Sequence, residues 1–133
     1  MADTVTLTTL MQTKKRLVVA VNYISDGTGV TDTVIVDKSA FTGLDGTEPG
    51  KFVVESIQYT TDGVKLRLEF EHTTDDPIAM LSGQGFLDFS SDGMYQGFVD
   101  PASAGGTGDI VMTSIDHTSG DQATIILFLR KKD

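Results

Sequence analysis

The two histidines are the only imidazole groups that the chain offers for acid–base or nucleophilic chemistry. His72 follows Glu71, and His117 follows Asp116. A catalytic triad needs a hydroxyl, an imidazole and an acid that converge in space. Neighbouring residues of a strand point to opposite faces, and neither serine near His117 stands in a Gly-x-Ser-x-Gly turn. We therefore expect no catalytic residues and no enzymatic activity.

Three glutamates, Glu55, Glu69 and Glu71, supply the carboxylates from which a glycosidase pair would be drawn. Glu69 and Glu71 fall on the polar face of one predicted strand, where the alternation of charged and apolar residues is typical of a solvent-facing surface. We interpret them as solvated charge rather than as a catalytic pair.

Acidic residues near turns are candidate metal ligands, because Ca²⁺ takes six to eight oxygen atoms. The candidates are Asp26, Asp32, Asp37 and the pair Asp75-Asp76, but their spacing lacks the pattern of an EF-hand loop. The chain has no Cys, which excludes zinc thiolates, iron–sulfur clusters and disulfides. The Gly-rich segments 83–85 and 105–108 precede no helix and no P-loop lysine. We predict no metal site and no cofactor.

Two short basic clusters stand out in a chain whose formal net charge is −9. They either solubilise strand ends or contact an acidic partner. Aromatic residues beside a Gly-rich segment either anchor a partner or close the end of a sandwich. The residues predicted to bind a partner are Lys14, Lys15, Arg16, Tyr95, Phe98, Arg130, Lys131 and Lys132.

The excess of acidic over basic residues also limits which classes of partner the protein can bind. Like charges repel, so a net charge of −9 argues against nucleic acid and against an anionic membrane surface. The apolar runs are about five residues long, far short of the roughly 20 that a membrane-spanning helix needs. We expect neither nucleic acid nor membrane as a partner.

Short β-rich runs separated by Asp-Gly turns position these residues. Residues 64–71 alternate strictly between apolar and charged, which predicts a half-buried strand. Three hairpins are predicted, joining 51–60 to 64–71, 17–24 to 33–37 and 109–114 to 123–130. Weaker strands are predicted at 4–9, 77–81 and 85–90, and the last strand, apolar on both faces, is expected to be central or covered.

The spacing of these runs predicts an all-β chain: a single antiparallel β-sandwich or partly closed barrel of about seven to nine strands. We expect one domain over residues 1–133, with an extended N-terminal arm over 1–13 as a further possibility and one helical turn within 9–15. Residues 92–108 are rich in Gly and predict a long loop, which compact domains rarely keep without a use.

Five segments follow one another along the chain: Ser25-Asp26-Gly27-Thr28-Gly29, residues 73–78, residues 85–89, residues 106–113, and residues 120–127 with the basic tail to Lys132. In this order they resemble small virion structural proteins of tailed bacteriophages, many of them marine or aquatic. The resemblance spans residues 16–132. It consists of the general character of the segments and their order along the chain, and it includes no catalytic motif. Residues 93–97 stand where the family carries a Gly-Gly-Leu-like turn, so no site residue is carried over.

The resemblance implies a non-enzymatic capsid decoration, or cement, protein on the outside of the head. The implied partners are the major capsid protein and further copies of the chain, with a trimer favoured, and the implied location is the capsid surface of the virion. Alternatives are a tail, neck or fibre-associated virion domain, a carbohydrate-binding sandwich, and a small hydrolase using His72 or His117. The absence of Trp argues against a sugar platform, because Trp offers the largest stacking surface.

Overall fold

The computed structural model describes residues 3–13, 15–41, 51–71, 75–88, 98–99 and 109–132. These ranges hold ten strands, nine of them at least four residues long, and one 3-10 turn at Lys38–Ala40. Within the same ranges, no helix has the length and apolar character that crossing a membrane requires. The strands are β1 (Thr4–Gln12), β2 (Arg16–Ile24), β3 (Thr33–Val36), β4 (Lys51–Asp62), β5 (Lys65–Phe70), β6 (Asp76–Leu81), β7 (Gln84–Asp88), β8 (Phe98–Val99), β9 (Ile110–Ile115) and β10 (Gln122–Lys132).

The strands form two antiparallel sheets. Sheet A has the order β1-β2-β10-β4-β7, with the two-residue β8 also paired to β4. Sheet B has the order β3-β9-β5-β6. Within the described residues no strand of one sheet pairs with a strand of the other. The prediction of an all-β sandwich is confirmed, and the sheets do not close into a barrel.

The core lies between the two sheets and is built by alternation along each strand. In β10, Ile125, Leu127 and Leu129 are at most 1% exposed, whereas Ile126 and Phe128 point the other way and are half-buried. β10 pairs with β2 on one side and β4 on the other. Its predicted central position is confirmed, and its second apolar face lies on the outer surface of sheet A.

The three predicted hairpins are wrong, because each of these turns carries the chain from one sheet to the other. β2 leads to β3, β4 leads to β5, and β9 leads to β10, and in every case the two strands belong to different sheets. Positive-φ residues permit the tight reversals, among them Gly63 at 87° and Gly120 at 94°. Positive φ suits a turn within a sheet and an arch between sheets equally well, so the local sequence did not distinguish them.

The strand predicted at 4–9 is confirmed as part of β1, and the helical turn predicted within 9–15 is wrong, because β1 continues to Gln12. Thr4–Gln12 pairs antiparallel with β2 along the whole length of β1, with one bulge between Thr9 and Met11. Threonines and apolar residues alternate there, which suits an extended strand better than a helix. The N-terminal arm thus runs as the edge strand of sheet A over Thr4–Gln12.

The predicted Gly-rich loop falls largely outside the described residues. Within 92–108 the structure describes only Phe98–Val99, which form β8 against Val53 and Val54 of β4. Phe98 was predicted as a loop aromatic, and that prediction is wrong for its backbone, which pairs within sheet A. Two β-forming residues in a Gly-rich segment were too short a pattern to predict a strand.

Candidate functional site

Four of the predicted partner-binding residues meet at one end of sheet A, although about 115 positions separate the two basic clusters in the sequence. The register between β2 and β10 places Arg16 directly opposite Arg130. The backbone N–H of Lys131 donates to the carbonyl oxygen of Lys15 at 2.7 Å, and its Nζ donates to the carbonyl oxygen of Thr13 at 2.9 Å. We call Lys15, Arg16, Arg130 and Lys131 the basic corner.

Glu55 lies between the two arginines of the basic corner. Its Oε1 pairs with Nη1 of Arg16, and its Oε2 lies 3.6 Å from Nη1 of Arg130. A register shift of β4 against β10 places Glu55 as the extra residue between Val54 and Ser56. The Glu55 side chain is 13% exposed, against 54% for Arg16. One carboxylate thus separates two like charges, and the corner keeps an excess of positive charge.

Burial also acts on the basic corner. It lowers the pKa of Lys131, because a partly buried ammonium group loses hydration. Arginine side chains in general carry a permanent positive charge. The corner is therefore a fixed positive surface in a chain that is acidic as a whole.

The other predicted site residues are not placed in the corner by any described contact. Lys14 and Tyr95 lie outside the described residues. Phe98 lies in β8, and Lys132 ends β10 opposite Lys51. Sequence reasoning missed Glu55 as a member of this site, because only the bulge in β4 and the pairing of β2 with β10 bring it between the arginines.

An apolar surface adjoins the basic corner on the outer face of sheet A. Val18 of β2 pairs with Phe128 of β10, and Ile126 pairs with Ala20. Phe86 of β7 is 56% exposed and meets Phe128 edge to face, with ring centroids 6.5 Å apart. The apolar second face of β10 was the sequence signal for this surface. Cationic groups beside exposed aromatic and aliphatic side chains are typical of protein-binding surfaces.

Three carboxylates converge on sheet B and its loops. Oxygen atoms of Asp32, Glu69 and Asp75 lie within 4.8 Å of one another, an arrangement that can accept a cation. Glu69 accepts from Nε of Arg67 at 3.1 Å, and Thr113 Oγ1 lies 3.3 Å from a carboxylate oxygen of Asp32. The interpretation of Glu69 as solvent-facing is wrong, since it is 9% exposed inside sheet B. Glu69 and Glu55 also belong to different sheets, since Glu69 lies in β5 of sheet B and Glu55 in β4 of sheet A.

His117, the histidine that the structure describes, packs against Gly29. The ring of His117 lies where a Cβ of Gly29 would be, and Gly29 has a φ of 84°. The preceding acid, Asp116, pairs with Nζ of Lys65 at 3.3 Å. His72 lies outside the described residues. His117 thus fills the space that glycine leaves between two sheet-to-sheet arches.

Asp3 fastens the other end of β1. Its carboxylate accepts from Tyr23 Oη, and from the backbone N–H of Asp26 at 2.9 Å. Burial acts to raise the pKa of Asp3, but these hydrogen bonds outweigh it and lower the pKa from 3.8 to about 2. Burial and the bond to Asp3 raise the pKa of Tyr23. We call Asp3 and Asp26 the acidic corner, at the opposite end of β1 from the basic corner.

Asp3→Asn is expected to lower the free energy of unfolding by about 1–2 kcal/mol at pH 7, since it weakens charge-assisted hydrogen bonds. A carboxyl whose pKa is depressed on folding stabilises the protein above its unfolded pKa, and this stabilisation is lost as pH falls through its folded pKa. For Asp3 that window runs from pH 3.8 down to about 2. Urea unfolding of both proteins between pH 7 and pH 2 measures the difference. A difference that stays constant across this window would contradict the assignment.

The geometry brings together fixed cations, one shielding carboxylate and an adjoining apolar face, an arrangement that could contact a partner. No protein-family model matches the chain, and no curated protein matches it at a significant level. The candidate site is therefore defined by the position, charge and exposure of its residues.

Proposed function

We propose that the chain is a non-enzymatic capsid decoration protein of a tailed bacteriophage, which binds the outside of the assembled head. The resemblance of residues 16–132 to small phage virion proteins supports this proposal, and so does the all-β sandwich. The observation that carries it in the structure is the basic corner, where Arg16 and Arg130 meet around Glu55. The major capsid protein is the proposed partner, and the capsid surface is the proposed location.

The proposed mechanism is thermodynamic linkage. A protein that binds only the assembled shell lowers the free energy of that shell relative to its separated subunits. The basic corner attracts acidic surface on capsid subunits, and the apolar surface at Phe86 and Phe128 supplies area to bury. Each copy contributes a modest interface across neighbouring subunits, and many copies add up over the shell. The net charge of −9 helps to keep the protein soluble before assembly.

The test uses phage heads assembled without this chain, to which purified protein is added. Arg16→Gln is expected to weaken binding about fivefold, because it removes one cation of the corner. Lys65→Gln is the matched control, since the Lys65 side chain is 51% exposed, against 54% for Arg16, but lies on sheet B. Co-sedimentation measures the bound copies, and a thermal burst assay measures head stability.

Heads that bind no protein, or that bind both variants equally well, would contradict the proposal. The copy number per particle distinguishes a decoration protein from the second candidate, a tail, neck or fibre-associated domain. A decoration protein is expected in a copy number close to that of the major capsid subunit. The resemblance implies an oligomer of the chain and favours a trimer, whereas the edge strand described below favours a dimer, and light scattering distinguishes the two.

A further inference from the structure

β1 is an edge strand whose side chains, Val5 excepted, are exposed on both faces. Of its nine residues, only Val5 is partly buried, and the rest are exposed. Among them, Leu7 is 48% exposed, Leu10 is 55% exposed and Met11 is 42% exposed. An exposed, apolar edge strand is a template for pairing with another chain, and proteins usually blunt such edges with charged residues or Pro. The residues of β1 include neither a charged side chain nor Pro.

The strand order explains why the inner face of β1 is exposed. Sheet A continues past β2 to β1, while sheet B ends at β3, the strand that the chain enters directly after β2. β1 therefore overhangs the sandwich in the part of the chain that the structure describes. Val5, Leu7 and Thr9 pair with the buried residues of β2, so they point to this overhanging inner face.

We propose that β1 pairs antiparallel with β1 of a second copy around a two-fold axis at Leu7, so that sheet A continues from one copy into the other. This pairing goes beyond the proposed capsid binding: it uses the free edge of β1, and the basic corner lies beside that edge, since Lys15 follows the end of β1.

Length and composition select a second β1 as the occupant. The other described edge strands of at least four residues are shorter: β3 has four residues, β6 has six and β7 has five. β6 also carries Pro77, which has no N–H to donate to a new ladder. Two chains of net charge −9 repel each other. Because β1 has no charged residue, the like charges of the two copies stay at a distance from the β1–β1 contact, where they repel less strongly. We call this contact the seam.

Charge complementarity selects the antiparallel direction. The acidic corner, Asp3 and Asp26, lies at the start of β1, and the basic corner begins at Lys15, just past its end. Antiparallel pairing brings the acidic corner of each copy towards the basic corner of the other. Parallel pairing would place acid beside acid and base beside base, at a cost in free energy.

The inner face sets the register. With the axis at Leu7, the two Leu7 side chains meet, and Val5 of each copy lies opposite Thr9 of the other. All three residues belong to the inner face, so the pairing buries the apolar side chains that overhang. The regular segment Thr4–Thr9 precedes the bulge of β1, so the centre of the seam is free of it.

Light scattering and sedimentation equilibrium on the purified chain test the pairing, and a particle of twice the chain's mass is expected. Leu7→Lys is expected to raise the dimer dissociation constant about a hundredfold, because two lysines then meet at the axis. Met80→Lys is the matched control, since Met80 is 51% exposed and lies in β6 of sheet B. A monomer, a trimer, or a dimer that both variants leave intact would overturn the proposal.

Single cysteines test the register, because the natural chain has none. Leu7→Cys is expected to form a disulfide-linked dimer under mild oxidation, since residues opposite in a ladder have Cα atoms about 5 Å apart. Thr9→Cys is the control, because its two copies would stand four residues, about 13 Å, apart along the ladder. Cross-linking at position 9 but not at position 7 would overturn the register. Head binding by Arg16→Gln is read separately, so either proposal can fail while the other stands.

Discussion

Replacing Ile125 with alanine is expected to lower the free energy of unfolding by about 3–4 kcal/mol, which is a large part of the roughly 5–15 kcal/mol that stabilises a domain. Ile125 is 0% exposed and lies in β10, between Val21 of β2 and Tyr59 of β4. Because β10 is the shared neighbour of both strands, a cavity there loosens the packing of all three. Urea unfolding followed by circular dichroism measures the loss.

Ile126→Ala is the matched control, one residue along the same strand and on the outer face of sheet A. Ile126 is half-buried, and its expected loss is about 1 kcal/mol. A large loss at position 125 with a small loss at position 126 would bear out the register of β10. Equal losses would contradict it, because a shift by one residue exchanges the two faces of a strand.

The strands that carry the core could be predicted from the sequence because their patterns are local. The alternation over 64–71 corresponds to β5, in which Leu66, Leu68 and Phe70 are 0% exposed. The apolar run 123–130 corresponds to β10, a central strand with neighbours on both sides. Apolar residues at every second position indicate that one face of a strand is buried. This pattern can be recognised without knowing which strand lies beside it.

The pairing of the strands could not be predicted in the same way. Gly63 permits the reversal between β4 and β5, but the sheet that β5 joins depends on β9 and β6, which flank it. A hairpin and an arch between sheets use the same turn residues, while they differ in which distant strand supplies the hydrogen bonds. The helical turn predicted within 9–15 failed for a related reason, since the partner of β1 lies in β2.

The candidate site combines both kinds of information. The basic residues of the site could be predicted from the sequence, since the two runs of three consecutive cations, 14–16 and 130–132, stand out in an acidic chain. That Arg16 and Arg130 are opposite each other follows only from the register of β2 and β10. Glu55 was grouped with Glu69 as a carboxylate of interest, and the two belong to different sheets and pair with different arginines. A residue's type indicated its chemistry, and long-range pairing determined its neighbours.

Glu55→Gln is expected to lower the free energy of unfolding by about 1–3 kcal/mol, because it leaves Arg16 and Arg130 opposite each other without the carboxylate between them. The loss is expected to shrink in high salt, which screens the repulsion between the exposed parts of the two guanidinium groups. Thermal and urea unfolding at two salt concentrations measure both effects. Asp116→Asn is the control, since its ion pair with Lys65 is 68% and 51% exposed and is expected to contribute less than about 1 kcal/mol.

The same substitution separates stability from binding at the basic corner. Removing Glu55 makes the corner more positive, so Glu55→Gln is expected to bind phage heads several times more tightly while it folds less stably. A variant that merely damaged the sheet would lose both properties together. Tighter binding by a less stable protein would therefore identify the basic corner as the surface that contacts the head. Glu55 would then stabilise the fold between two repelling cations while it lowers the affinity for the head. Unchanged or weaker binding would show that Glu55 and its arginines do not form the proposed capsid contact.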